Sequence, residues 1–424
     1  MRIHFVGIGG IGVSALVQYF ISIGHEVSGS DLVSSEITEA LEKKGVKIFH
    51  GKHKRENIKK DISLVIFSPA VRKENPELKE ARRRKILIQS YPQALGELTK
   101  KYFTIAVSGS HGKSTTTAMI SLILIKAGFD PTVILGTKLK EFGDSNFRIG
   151  DSPESSIFNL KSKILVIEAD EHFASFLNYW PRIIVLTNIE REHLDFYKNL
   201  KNILKTYKEY VSHLKKDGTL VFNKDCGNVC EVAKKIKNKI FYSIKQKEAK
   251  KLKKILKIPG RFNIVNALAA LSVARVLKIP DNISFKALSE YKGAWRRFEI
   301  IKIRLTDNLE PRTCTLISDY AHHPTKVRVT LKAAREKFKN KKIWLVFQPH
   351  QYQRTYYLFE DFVKVLKNAP VDNLIVTDIF DVAGREEKII KNKVSSEKLV
   401  RAINDKKTLY IPTIVKTFSY LKKN

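Results

Sequence analysis

The sequence predicts three α/β units in series, each built on a parallel sheet. Three observations carry this. The chain has 424 residues, too many for one ordinary core at roughly 100–200 residues per domain. Short apolar, β-branched runs alternate with helical patterns along it, and that alternation implies parallel sheets covered on both faces. Two glycine-rich loops, at 7–12 and 109–115, each follow a strand and open a helix. The predicted units span 1–98, 99–294 and 295–424.

The elements follow in order. Arg2 to Val6 reads as a buried strand, the first glycine loop follows, and a helix runs to about Ile23. Gly24-His25 ends that helix, and a second strand starts at Glu26. Leu64 to Phe67 is a strand running into Ser68-Pro69-Ala70. The second unit opens with strand Phe103 to Ser108, its glycine loop and helix Thr115 to Lys126. Ile164 to Ile167 and Arg182 to Thr187 are further buried strands, and an Ala- and Leu-rich helix runs from beyond Pro259 to about Leu277. The third unit takes strands Thr313 to Ser318, Ile343 to Phe347 and Leu374 to Thr377, each followed by a helical pattern.

Composition excludes several classes. Hydrophobic residues make up 43% and aromatics 10%, ample for packed cores and incompatible with global disorder. Three cysteines cannot form a disulfide framework, and Cys226 and Cys230 lack the second pair of a zinc site, so they read as plain thiols. No signal-peptide h-region opens the chain and no apolar run approaches the roughly 18 residues of a membrane span, so a cytoplasmic protein without membrane insertion is expected. Lys and Arg total 77 against 43 Asp and Glu, a net charge of +34. The basic residues are spread along the chain rather than gathered in one tail or helix. That argues against specific nucleic-acid binding and for a field that attracts small polyanionic substrates.

The loops carry the chemistry. In Gly7-Ile8-Gly9-Gly10-Ile11-Gly12, the glycines let backbone amides approach a pyrophosphate at a helix N-terminus. Asp31, after the second strand, is placed to hold a ribose or base. A dinucleotide and any other pyrophosphate-linked nucleotide satisfy this pattern equally. Gly109-Ser110-His111-Gly112-Lys113-Ser114-Thr115 is a short phosphate loop, with Val107 where the full pattern has its first glycine. Its amides cradle phosphates, Lys113 reaches the β/γ oxygens and Ser114 can ligate magnesium. Lys113 is expected in an exposed loop. A dehydrogenase needs only the first loop and a simple ATPase only the second; both together suit a protein that brings a nucleotide-linked substrate to ATP. Glu168 and His193 follow successive strands, and strand ends in a parallel sheet gather beside such a loop. Both are therefore candidates for the magnesium site of Ser114.

With these motifs come Glu-Ala-Asp-Glu at 168–171, Thr-Asn-Ile-Glu at 187–190 with His-Leu-Asp at 193–195, and Gly-Arg-Phe-Asn-Ile-Val-Asn-Ala at 260–267. Arg-Arg-Phe-Glu at 296–299, Asp-Tyr-Ala-His-His-Pro-Thr at 319–325 and Phe-Gln-Pro-His at 347–350 complete the set. In this order and over almost the whole chain, they resemble the Mur ligases of peptidoglycan synthesis. The resemblance implies a Rossmann-like UDP-sugar domain, a central P-loop ATPase-like domain and a C-terminal Rossmann-like domain for the incoming amino acid. It implies an ATP- and Mg2+-dependent amide ligase, most similar to members that join L-alanine to the lactoyl carboxylate of UDP-N-acetylmuramate through an acyl phosphate. The alternative within the family is the recycling ligase that attaches a preformed tripeptide to the same sugar. Phe-Gln-Pro-His and Ser175-Phe176-Leu177 favour the alanine enzyme. A monomer or homodimer is expected.

By the same resemblance, Gly7, Gly9, Gly10, Ile11, Gly12, Asp31 and Ser68 contact the UDP-sugar. Gly109 to Thr115, Asn266, Arg297 and Asp319 contact ATP. Lys113, Glu168, His193 and Arg297 are the catalytic set, and Ser114, Glu168 and His193 surround magnesium. His322, His350 and Arg354 lie near the amino acid. The chain departs from the family at Phe262, where the adenine motif usually has His, and at Gln351, where Arg usually follows Phe-Gln-Pro-His. His172-Phe173 replace small polar residues, and the stretch from Phe241 to Pro259 is shorter than usual.

Overall fold

A computed structural model describes residues 1–150, 164–305, 312–381 and 388–423. The chain divides into two compact units: Met1–Glu190 with Lys201–Lys257 and Ile264–Trp295, and Arg191–Leu200 with Ile258–Asn263 and Arg296–Asn424.

The first unit holds two sheets. One is parallel, with strands β1 (Arg2–Val6), β2 (Glu26–Asp31), β3 (Lys47–His50), β4 (Leu64–Phe67) and β5 (Leu87–Ser90) in the order β3-β2-β1-β4-β5. The order reverses between β1 and β4, which opens a crevice at their carboxyl ends. The glycine loop leaves β1 there, and Ser68 leaves β4 beside it. Ile3, Phe5 and Val6 are fully buried; burying such side chains contributes on the order of 1.5–3 kcal/mol each.

The other sheet has strands β6 (Phe103–Ser108), β7 (Thr132–Leu139), β8 (Ser145–Arg148), β9 (Ile164–Glu168), β10 (Ile183–Leu186), β11 (Thr219–Asn223) and β12 (Lys239–Tyr242). Their order is β12-β11-β10-β6-β9-β7-β8, parallel except for the edge pair β7–β8. All four residues of β10 are buried, as a strand covered on both faces requires. β6 is flanked by β9 and β10, so the phosphate loop leaves the sheet between the ends of its neighbours.

Buried amides join the two sheets' layers. Gln18, on helix Ile11–Ser22, donates Nε2 to Asn146 Oδ1 on β8 at 2.8 Å. Asn146 donates Nδ2 to Ser14 Oγ at 3.0 Å and to the Ile11 carbonyl. The helix that opens at the glycine loop is thereby tied to the sheet that carries the phosphate loop. Behind β1 and β2, Glu77 is fully buried. Ser30 donates to it at 2.6 Å, Asn57 donates as well, and His53 Nδ1 and His4 Nε2 lie at 3.3 and 3.6 Å. Burial alone would raise this carboxyl; the hydrogen bonds outweigh it and hold Glu77 well below the usual carboxylate range.

The second unit departs from an all-parallel reading. Thr313 to Ser318 lies in β14 (Arg312–Ser318), which pairs antiparallel with β13 (Glu299–Leu305). The sequence between Lys302 and Leu305 alternates polar and apolar residues, the signature of a half-exposed antiparallel ladder rather than a buried parallel strand. The parallel sheet of this unit is β15 (Trp344–Phe347), β16 (Asn373–Val376) and β17 (Thr408–Tyr410), in that order. Its core packs Phe347, Leu374 and Val376 against Phe362, Leu366, Leu399 and Ile403 of helices Phe359–Lys367 and Ser396–Ile403.

Candidate functional site

The first glycine loop is held by its own sheet. Gly7 and Ile8 donate their amides to the Ser30 carbonyl at 2.9 and 3.1 Å. Gly7 has φ of 77°, and a Cβ there would come within 3.0 Å of the Ser68 Cβ. Asp31 Oδ2 accepts the Gly9 amide at 2.8 Å. Asp31 thus fixes the loop with one oxygen, a duty the sequence did not reveal. Gly10 precedes helix Ile11–Ser22, and among the described residues no side chain caps it, which leaves the first turn able to meet an anion.

The second loop is braced by the end of β10. Ser110 and His111 donate amides to the Asn188 carbonyl (3.0 Å) and its Oδ1 (2.9 Å), and Thr187 Oγ1 donates to the His111 carbonyl at 2.6 Å. Ser110 Oγ accepts the Glu190 amide at 2.9 Å, and Glu190 Oε2 lies 3.2 Å from His111 Nε2. Gly112 has φ of 84°, and a Cβ on it would lie 2.4 Å from Asn266 Oδ1. Asn266, predicted at the adenine, is therefore packed against the phosphate loop. Thr115 follows Ser114 in the first turn of helix Lys113–Lys126, and both are buried.

Lys113 is not on an exposed loop. It is the first residue of that helix, its side chain is 16% exposed, and Nζ donates to Glu171 Oε2 at 2.7 Å and to the Gly109 carbonyl at 2.8 Å. Asp170 Oδ1 lies 3.7 Å away. A lysine at the head of a phosphate loop is drawn inward because the carboxylates following β9 face it. Phe173 and Ala174, just beyond Glu171, both have φ of 53°, a strained pair of the kind concentrated at functional sites. The His172 ring stacks on Phe173 at 3.9 Å.

Ser114 Oγ donates to Glu168 Oε2 at 3.0 Å, and the other oxygen of Glu168 accepts the Gly136 amide. A Cβ on Gly136 would sit 3.0 Å from Glu168 Oε2, so the glycine leaves room for this carboxylate. A hydroxyl and a carboxylate side by side are hard oxygen donors and fit Mg2+. His193 belongs to the second unit, where it has φ of 53° and precedes the short helix Leu194–Tyr197.

Within the second unit, one buried carboxylate gathers the predicted amino-acid residues. Glu192 is 4% exposed and has His322 Nε2, Lys326 Nζ and Arg354 Nη2 at 3.4, 3.6 and 3.8 Å. Arg354 Nη1 lies 3.3 Å from His350 Nδ1 and donates to the His350 carbonyl at 3.1 Å. His350 Nε2 is 3.1 Å from the Tyr320 hydroxyl. Burial, with the charges of Lys326 and Arg354, holds His322 well below its ordinary value despite Glu192, so it is neutral at pH 7. Arg191, Glu192, His193, Gln351, Arg354 and Tyr357 line a pocket here. Sequence reasoning did not single out Glu192 or Lys326. An acid in a charged segment and one lysine among many carry no signal until the fold gathers them.

Arg297 and Asp319 also fall in the second unit. The Arg297 guanidinium lies 5.8 Å from the Tyr320 ring centre, and Asp319 Oδ2 accepts the Phe298 amide at 2.8 Å. Desolvation raises the Asp319 carboxyl, with Arg297 opposing. Phe262 packs against Phe298, Ala333 and Ala334. Its ring therefore serves a local core.

Comparison with known proteins gives three consecutive domain matches. Residues 2–103 match the model of the Mur ligase family catalytic domain, 107–274 the Mur ligase middle domain, and 296–423 the Mur ligase glutamate ligase domain. The chain is 38% identical to the UDP-N-acetylmuramate–L-alanine ligase of Aquifex aeolicus, over 94% of this chain and 87% of that protein. It is also 38% identical to the enzyme of that name from Acetivibrio thermocellus, over 100% of this chain and 90% of that one. The crystal structure of UDP-N-acetylmuramate-alanine ligase MurC from Thermotoga maritima superposes with a TM-score of 0.76 at 28% identity, covering 99% of this chain and 92% of that one. A murein peptide ligase from Psychrobacter arcticus shares the fold, with a TM-score of 0.73 at 22% identity, covering 99% and 92%. Three consecutive domain matches and near-full-length relatives place this chain in the Mur ligase family.

Proposed function

We propose that the chain is an ATP-dependent ligase that joins L-alanine to the lactoyl carboxylate of UDP-N-acetylmuramate through an acyl phosphate, with Mg2+ as cofactor, in the cytoplasm. The observation that carries this reading is the pair of anion-binding loops, each at the point where its sheet's strand order reverses, within one compact unit. Near-full-length relatives bearing the alanine ligase name favour it over the tripeptide-recycling reading.

The residues supply what such a condensation needs. The amides of Gly10 to Gly12, at the head of the helix, hold the sugar nucleotide's pyrophosphate, on a loop that Ser30 and Asp31 brace through the Gly7, Ile8 and Gly9 amides, with Ser68 beside it. The amides of Gly112 to Thr115 hold the ATP phosphates, on a loop that Asn188 braces through the Ser110 and His111 amides. Lys113, held by Glu171 and Gly109, needs only to exchange these partners for a phosphate oxygen to neutralise developing charge. Ser114 and Glu168 would hold Mg2+, which supplies Lewis-acid stabilisation of phosphate oxygens. His193, Arg297 and Asp319 are assigned to the ATP site on the motif match alone. In the second unit, Arg354 offers a planar fork for the alanine carboxylate, with His350 beside it and the neutral His322 sharing its Glu192 partner. Calorimetry with UDP-N-acetylmuramate and with NADH tests the first loop. Binding of the UDP-sugar and not NADH is expected; binding of NADH alone would refute the UDP-sugar assignment of the first loop.

A further inference from the structure

One side chain touching the first loop has no part in the reaction so far. Tyr91 follows β5 as the first residue of helix Tyr91–Lys101. Ser90 and Gln93 fix its backbone through a reciprocal cap: Ser90 Oγ accepts the Gln93 amide at 3.4 Å, and Gln93 Oε1 accepts the Ser90 amide at 2.8 Å. The ring lies against Gly12. A Cβ there would stand 2.9 Å from the Tyr91 hydroxyl oxygen, 3.2 Å from Cζ and 3.6 Å from Cε1. Gly12 is bare where Tyr91 approaches, so the phenol touches the first turn of the helix that the glycine loop opens. Among the described residues its hydroxyl makes no hydrogen bond.

The phenol also lies in the field of the ATP-side carboxylates. Burial first, then the charges of Glu168 and Asp170, push its pKa above the ordinary value. It is therefore a protonated donor at physiological pH, held against the first turn of the helix that the glycine loop opens. A neutral O–H so placed gains most from an anionic acceptor, because charge-assisted hydrogen bonds are roughly twice as strong as neutral ones.

We propose that Tyr91 is a substrate-contacting residue, whose hydroxyl donates a hydrogen bond to an anionic oxygen of the bound UDP-sugar and orients it toward the phosphate loop. This rests on the UDP-N-acetylmuramate reading of the first site. The oxygen belongs either to the pyrophosphate or to the lactoyl carboxylate, and two ligands separate these. UDP-N-acetylglucosamine carries the pyrophosphate without the carboxylate.

The test is Tyr91→Phe, which keeps the ring on Gly12 and removes only the hydroxyl. Calorimetry should show UDP-N-acetylmuramate binding weakened by about tenfold or more, the loss of one hydrogen bond to a charged group. In steady state, kcat/KM for that sugar should fall at least as far, with the KM values for ATP and alanine within about twofold of wild type. If UDP-N-acetylglucosamine binding weakens equally, the partner is the pyrophosphate; if it does not change, the partner is the carboxylate. Wild-type affinity for both sugars together with wild-type kcat/KM in Tyr91→Phe would overturn the proposal. Absence of turnover by the wild-type protein would instead refute the ligase reading, and the binding comparison keeps the two failures apart.

Discussion

Replacing Lys113 by alanine should cost both activity and stability, for separable reasons. Its ammonium is 2.7 Å from Glu171, whose side chain is 3% exposed. Removing one partner of a buried ion pair typically costs about 3–5 kcal/mol; because Lys113 retains 16% exposure, roughly 2–3 kcal/mol is the figure expected here. The same substitution removes a donor to developing phosphate charge, worth roughly 10²–10³ in rate. The double variant Lys113→Ala, Glu171→Ala separates the two effects. It should recover most of the lost stability, because no buried carboxylate is left without its ammonium, and none of the activity. Urea unfolding of the wild type and the two variants followed by tryptophan fluorescence measures the first quantity. Phosphate release measures the second. A double variant that turns over at the wild-type rate would refute the phosphate-loop assignment, and a single variant as stable as wild type would refute the energetic role of the pair.

Arg354→Ala should raise the alanine concentration for half-maximal phosphate release by at least about tenfold, as loss of a fork to a buried carboxylate implies, and leave the ATP dependence unchanged. Gln351→Arg should lower that concentration, because Gln351 and Arg354 line the same pocket. Gly112→Ala places a side chain at φ of 84° and 2.4 Å from Asn266 Oδ1; backbone strain of roughly 1–2 kcal/mol and the clash should abolish ATP binding in a calorimetric titration. Glu77→Gln should flatten the acid limb of the stability profile. A carboxyl depressed in the folded state contributes stability that is fully present above the unfolded value of about 4.3 and drains away as pH falls toward the folded one. Urea midpoints from pH 7 to pH 3 should therefore drop more steeply for wild type than for the variant.

The sequence made legible whatever is local. Ile183 to Leu186 is an unbroken β-branched and apolar run, and it is a strand buried on both faces. The two glycine loops sit between strand and helix as their motifs require. Pairing across distance was not legible. Lys113 meets Glu171 across 58 residues, and nothing in a Gly-Lys-Ser motif names its resting partner. Glu77 lies in a helix rich in charge and reads as a solvated face, yet the fold turns it inward onto His4, His53, Ser30 and Asn57. Gln18 and Asn146 tie two layers together across 128 residues through amides that a local pattern treats as surface. In the second unit, β13 carried no signal, because its alternation leaves no apolar run long enough to register.

Phosphate release with ATP, Mg2+ and UDP-N-acetylmuramate, across a panel of amino acids and the preformed tripeptide, tests the central claim most directly. The account predicts release that requires the UDP-sugar and is strongest with L-alanine, with matching amide product. Release with the tripeptide and not alanine would make the chain the recycling ligase. Release indifferent to the UDP-sugar would contradict the account outright.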